Sequence, residues 1–368
     1  MMEKMSDAGR GVIVYLREGS VGVATAGHGR LKEALGANDR DDHATAQSRE
    51  DEWLEIGLGA QILKDLGIQS IQLYASRERH YASAQSQNIP TGNNPLINQL
   101  APQWVVEEIT DDSVPASIVP DQRALAQNGL PDGRVTTGTG TIVEAWYSEP
   151  TTRYNHGVLG DSIEAGALKV KMLAVFEDIA PRLADLDRNG STEVITILSS
   201  QSEGASIAVF GLNGNAFNKI AQTPFIGRSN RWLNIAEINN FGGNRRPDIA
   251  AVITPHLAGV LQFYRFRNGK LVRIAQARGF SNHFIGSNEL RLSTVADINN
   301  DRVPDLILPS LARNELVMVG TERGQFRELA RVVLPARINR AIGARETDGR
   351  VEFLVGLDDG KIYGVKPR

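Results

Sequence analysis

The stretch ADLDRNGSTEV, residues 184–194, sets the reading of the rest of the chain. Its polar side chains fall on alternate positions, Asp185, Asp187 and Asn189, followed by Gly190 and closed by Glu193. Such a run makes a tight turn, because Asx side chains bond the backbone two residues on and glycine takes positive φ at no steric cost. The same unit returns as AEINNFGGNRRPDI (236–249) and ADINNDRVPDL (296–306), with a worn fourth copy in AIGARETDGRVEF (341–353). The leading acids Asp185, Glu237 and Asp297 are 52 and 60 residues apart. Each turn is followed by an apolar strand (VITILSS, IAAVITP, LILPS, FLVGL) and then by hairpins with turn dipeptides such as Asn213-Gly214 and Asn268-Gly269. The stretch LGDSIEAGALKV near Gly160 reads as the outer part of one more unit. Helix signals nearly vanish beyond about residue 141. Recurrence of a four-stranded unit of roughly 40 to 50 residues is the signature of a β-propeller, and the count gives four or five blades.

These turns resemble the FG-GAP/VCBS repeats of integrin-like propellers, whose calcium loop follows Asp-x-Asp-x-Asp/Asn-Gly-x-x-Asp between the first two strands of a blade. The resemblance covers about 141–368. It implies that Asp185, Asp187, Asn189 and Glu193 supply side-chain ligands and Ser191 a backbone carbonyl to Ca2+. Calcium takes six to eight hard oxygen ligands, which alternate carboxylates and amides of one tight loop provide. An EF-hand is excluded, since the flanks are strands and position twelve is Thr196. The second reading of the loop, an acidic Asx-turn without metal, stays open beside the first. For the later copies the metal-free reading is expected. The second has three extra residues before Asp248, the third carries Arg302 where glycine belongs, and the fourth begins with Arg345.

Composition narrows the function classes. The 368 residues carry a net charge of -3, which gives no basic field to hold nucleic acid or anionic lipid. The chain has no cysteine, so thiolate zinc sites, disulfides and cysteine nucleophiles are ruled out. The opening residues hold a five-residue apolar run and then charge, too short for a signal or membrane span. A cytoplasmic location is therefore expected, although propeller relatives are often exported. Neither nucleic acid nor membrane is expected as a partner.

Ahead of the repeats, GVIVYL (11–16) and SIQLYA (70–75) read as strands and WLEIGLGAQILKDLG (53–67) as a helix, which makes residues 1–82 a small α/β segment. Residues 83–140 turn rich in Asn, Gln, Pro, Gly and Thr and read as a linker with short strands such as WVVEEI (104–109). Three blocks of the first segment, GRGVIVYLREGSVGV (9–23), IGLGAQILKDLGIQSIQL (56–73) and ASRERHY (75–81), resemble GTP cyclohydrolase II, in particular the degenerate domain of bifunctional riboflavin biosynthesis proteins. The resemblance implies a truncated copy without its chemistry. Members that open the guanine ring use zinc held by three cysteines, and this chain has none, so no zinc is expected. The family's loop that helps hold GTP reads Glu18-Gly19-Ser20-Val21-Gly22-Val23, and its Asp-x-Arg element falls on Glu52, Trp53 and Leu54. No residue is assigned a catalytic role, and Glu18, Gln61 and Lys64 read as the polar face of a remnant.

His156, His256 and His283 sit in loop contexts between strands; they could serve as ligands or catalysts on one propeller face, and the reading preferred is that they hydrogen-bond neighbouring loops. Trp146, Tyr147 and Trp232 are expected to pack between blades. The function expected is a non-enzymatic binding or scaffolding propeller that takes a protein or small-molecule ligand on one face. The alternative is a riboflavin-related protein whose GTP cyclohydrolase II-like domain binds GTP or flavin precursors without catalysis. A third reading is a fusion of two coding segments with no joint function.

Overall fold

The structure, a computed structural model, describes residues 104–110, 118, 121–154, 157–322, 325–347 and 350–368. The fold divides the chain between Gly92 and Asn93. The strands and helix expected within 1–82 lie outside the described residues, as does His156.

The described part is mainly β, built of antiparallel strands throughout. The first strand, β1 (Trp104–Glu108), pairs with the last. Next come β2 (Thr136–Thr137), β3 (Glu144–Thr151), β4 (Leu159–Ala165) and β5 (Leu168–Phe176), then β6 (Arg182–Ala184), β7 (Glu193–Ser200), β8 (Gly204–Asn213) and β9 (Ala216–Gln222). These make one eight-stranded sheet of order β2-β3-β4-β5-β7-β8-β9, with β6 on β7. Its two halves meet only through Val175 and Phe176 of β5 opposite Ser199 and Leu198 of β7. The third group is β10 (Leu233–Asn239), β11 (Asp248–Ile253), β12 (Val260–Arg267) and β13 (Lys270–Arg278), and the fourth is β14 (Thr294–Ala296), β15 (Asp305–Pro309), β16 (Glu315–Glu322) and β17 (Gln325–Val333). In the last sheet β18 (Ile338–Thr347), β19 (Arg350–Leu357) and β20 (Ile362–Pro367) are completed by β1 on β20, from Trp104↔Pro367 to Glu108↔Tyr363.

Part of the stretch expected as linker is thus sheet. The short strand expected at WVVEEI is present as Trp104–Glu108, and Thr136–Thr137 pairs with β3. Composition did not show that this strand belongs to the last sheet, because an outermost strand needs only one apolar face, here Trp104 and Val106 against the core of that sheet.

The strands of each group differ in burial in a way the sequence explains. EVITILSS of β7 and DLILP of β15 are buried on both faces, as their unbroken apolar runs require. Leu168–Phe176 alternates, and one face meets water. Apolar residues of neighbouring groups close on one another: Ile195, Ile197 and Ile207 pack with Leu233, Ile235, Ile249 and Ala251, and Ala250, Val252, Leu261 and Phe263 with Leu306, Leu308, Val317 and Val319. The hairpins follow turn chemistry. Between β12 and β13 both Asn268 and Gly269 take positive φ (49° and 71°), as a two-residue type I′ loop demands. Between β8 and β9 the loop is Gly214-Asn215, one residue later than the dipeptide suggests, with positive φ at Gly214.

Candidate cation site

The turn between β6 and β7 is wound around carboxylates. Asp185 accepts the backbone N–H groups of Asn189 (3.1 Å) and Gly190 (3.0 Å), Asp187 accepts that of Asn189 (3.2 Å), and Asn189 Oδ1 accepts that of Ser191 (2.7 Å). Arg188 and Gly190 both take positive φ (60° and 86°), which folds the loop back on itself. Glu193 enters from the first residue of β7, buried, and accepts Leu186 N–H at 2.7 Å. The structure brings together Asp185, Asp187 and Glu193, with one carboxylate oxygen of each within 4.8 Å of the others. Among the described residues no other group of three acidic or histidine side chains converges in this way. Burial pushes the Glu193 carboxyl up to about 7; the Leu186 N–H opposes this, and the charges of Asp187 and Asp185 add to it. A depression lined by Ala184, Asp185, Arg188, Gly190 and Pro247 opens the loop to solvent.

The other repeats place an acid at the same point, at the start of the second strand: Asp248, Asp305 and Glu352, all buried. They differ in what faces it. Asp248 lies opposite Arg265 of β12, which grips it through Nε and Nη2 at 2.6 Å each. Glu352 lies opposite Arg345 of β18, with Nε to Oε2 at 2.6 Å. Glu193 and Asp305 have small neighbours instead. Ala184 and Ala296 pair with them on one side. On the other side the strand register carries Gly211 and Gly320 alongside, and a Cβ on Gly320 would stand 2.6 Å from Asp305 Oδ1. Burial pushes Asp305 up to about 7, like Glu193. Two buried acids therefore carry an internal cation and two do not.

The third loop keeps the shape of the first although it lacks the glycine. Arg302 takes φ 66° in the place of Gly190, so the backbone path is kept without glycine. Asp297 accepts from Asp301 and Arg302, Asp301 from Val303, and Asp305 from Ile298, the scheme of the first loop position by position. What separates the two is Asn299 in the place of Asp187, with Asp301 in the place of Asn189, so the amide and the carboxylate have exchanged positions. Sequence reading recognised Arg345 as removing a ligand, but not Arg265, which lies 17 residues beyond the acid it neutralises.

His256 and His283 come together at a different place. His256 Nε2 and His283 Nδ1 are 2.7 Å apart, and His283 Nε2 lies 2.8 Å from Ser287 O. A carbonyl can only accept, so His283 donates from Nε2 and, when neutral, accepts at Nδ1; His256 then donates from Nε2 and keeps its lone pair on Nδ1. Burial, the neighbouring His283 and the charge of Arg313 lower His256 to about 4. Trp232 donates its indole N–H to Glu177 O (2.9 Å) and packs against both imidazoles. Tyr147 is fully buried and stacks on Phe176, while Trp146 lies partly buried on β3. Glu18, Gln61 and Lys64 lie outside the described residues.

Comparison with known proteins finds a family match in the first quarter of the chain. Residues 1–91 match the GTP cyclohydrolase II family. A probable bifunctional riboflavin biosynthesis protein, RIBA 2, chloroplastic, from Oryza sativa subsp. japonica is 36% identical over 105 residues, which are 27% of this chain and 18% of that protein. The chain therefore spans less than a fifth of the length of this relative. Among solved structures, BBS1N in complex with ARL6DN is similar at TM-score 0.37 and 9% identity over 65% of this chain and 66% of that one, for a mercury-soaked crystal. A lead-soaked crystal gives TM-score 0.31 and 14% identity over 50% and 52%.

Proposed function

We propose that this protein joins a catalytically silent GTP cyclohydrolase II-like segment, able to bind GTP or a flavin precursor, to a β-propeller that serves as a binding module. The observation that carries the first half is the match over residues 1–91 in a chain without cysteine. The donor set does not fit the zinc that the family's ring-opening chemistry requires, so no hydrolytic step is assigned to it. Recognition of a planar, charged ligand needs no metal. Purified full-length protein, given zinc and GTP, is expected to retain GTP in equilibrium dialysis and to release no formate. Formate release would overturn the silent reading, and failure to retain either GTP or a flavin precursor would overturn binding.

For the second half we take the sheets as five blades of an FG-GAP/VCBS-type propeller: β2–β5, β6–β9, β10–β13, β14–β17, and β18–β20 closed by β1. Support comes from the repeated strand order, from cores shared by consecutive groups, and from the first strand completing the last sheet. Ca2+ fits the Asp185 loop, where Asp185, Asp187, Asn189, Glu193 and the Ser191 carbonyl would hold it. It would supply the charge that Arg265 and Arg345 supply to the sister acids, and so a structural role.

A further inference from the structure

One surface of the sheets combines exposed apolar side chains with two arginines that have no direct ion pair among the described residues. A row of rings runs from the partly buried Trp232 through the buried His283 to Phe284 at its edge. Trp232 and His283 have centroids 4.8 Å apart, His283 and Phe284 6.2 Å, and the guanidinium of Arg313 lies over the Phe284 ring at 5.2 Å. Ile285, next in the chain, is 78% exposed, and Leu311, two residues before Arg313, is 40% exposed. Arg313 sits in the turn between β15 and β16 at φ 58°, its carbonyl accepting Ile338 N–H (2.8 Å) and its Nε donating to Ile338 O (3.2 Å). These bonds place it beside Arg337, the residue before Ile338. Among the described residues neither guanidinium has a carboxylate at ion-pair distance, and the nearby Asp358 accepts the Arg337 backbone N–H at 3.0 Å. Desolvation and the charge of Arg337 act against the charged form of Arg313, and the charge of Asp358 offsets them only in part.

Two like charges held together by backbone bonds are relieved by an anion, and guanidinium forks suit carboxylates bidentately. Apolar residues exposed beside them gain by being covered. We propose that this surface docks an acidic, apolar peptide segment of a partner protein, its carboxylates on Arg313 and Arg337 and its apolar side chains over Ile285, Leu311 and the Phe284 ring. The proposal is independent of the reading of the N-terminal segment.

The test is fluorescence anisotropy of the full-length protein with a labelled peptide, Gly-Leu-Glu-Leu-Glu-Phe-Glu. Saturable binding is expected, weakened at least tenfold by Arg313→Gln or Arg337→Gln and severalfold by Ile285→Ser, and unchanged by Arg273→Gln on β13. A peptide with glutamine for glutamate should bind at least tenfold more weakly. Melting curves of the variants that superimpose on the parent would assign the loss to the surface. Absence of binding, equal affinity for the glutamine peptide, or arginine variants that bind like the parent would overturn the proposal. So would inorganic phosphate binding as tightly as the peptide and displacing it, which would leave a small-anion site.

Discussion

At the scale of single residues, the chemistry of the Asp185 loop turns on charge. Asp185, Asp187 and Glu193 converge within 4.8 Å, and like charges so placed are relieved by a proton, by solvent or by a cation. Calcium is expected to bind with a dissociation constant on the order of 0.1 to 1 mM, the range of loops with few carboxylates. At a hundredfold excess it should stabilise the fold by about 2.7 kcal/mol, and magnesium much less. Thermal melts with calcium or chelator check this. Asp187→Ala should abolish the response and Asp301→Ala should leave it nearly intact, whereas identical curves for the parent in both buffers would leave the loop an acidic turn. The histidine pair gives a pH dependence of known sign. The folded state lowers His256 to about 4 from an unfolded value near 6.5, so its neutral form adds stability above pH ~6.5 that is lost as pH falls toward 4. For a half-exposed ring, screening reduces the effect to about 1 kcal/mol by pH 5. The parent should therefore lose more stability between pH 7 and 5 than His256→Gln, as measured by urea titration, and parallel profiles would remove the linkage.

Between elements, the buried acid that opens each second strand ties two or three strands together. In β11 the pair with Arg265 is sealed from water, so removing one partner strands a charge. Arg265→Leu is expected to cost about 3 to 5 kcal/mol, and the double change Asp248→Leu with Arg265→Leu far less. Denaturant titration of the four species forms a cycle, and additive effects would show that the pair is not coupled. Next to Asp305 the strand leaves no room. Gly320→Ala should destabilise by roughly 1 to 3 kcal/mol, since the new Cβ would stand 2.6 Å from the carboxylate oxygen.

For the whole molecule, the pairing of β1 with β20 joins the beginning of the described chain to its end. A truncated protein that starts at residue 93 keeps this strand, and one that starts at residue 130 exposes the edge of β20 along its length. The longer of the two is expected to melt cooperatively, with a midpoint several degrees above that of the shorter. Equal midpoints in calorimetry would mean that the strand adds nothing to the fold.

The sequence by itself determined the strand-rich character beyond residue 141, the placing of the four acidic turns and the buried run after each, because period, turn residues and apolar patterning are local properties. It also determined the likeness of the blocks within residues 9–81 to GTP cyclohydrolase II and the lack of any cysteine for zinc. Only the tertiary structure decided that Trp104–Glu108 belongs to the last sheet, since a strand partner about 260 residues away leaves no mark on composition. Tertiary register alone also decided which acids are neutralised from within. Arg265 meets Asp248 because β11 and β12 pair at that point, while the same place beside Glu193 and Asp305 falls to glycine.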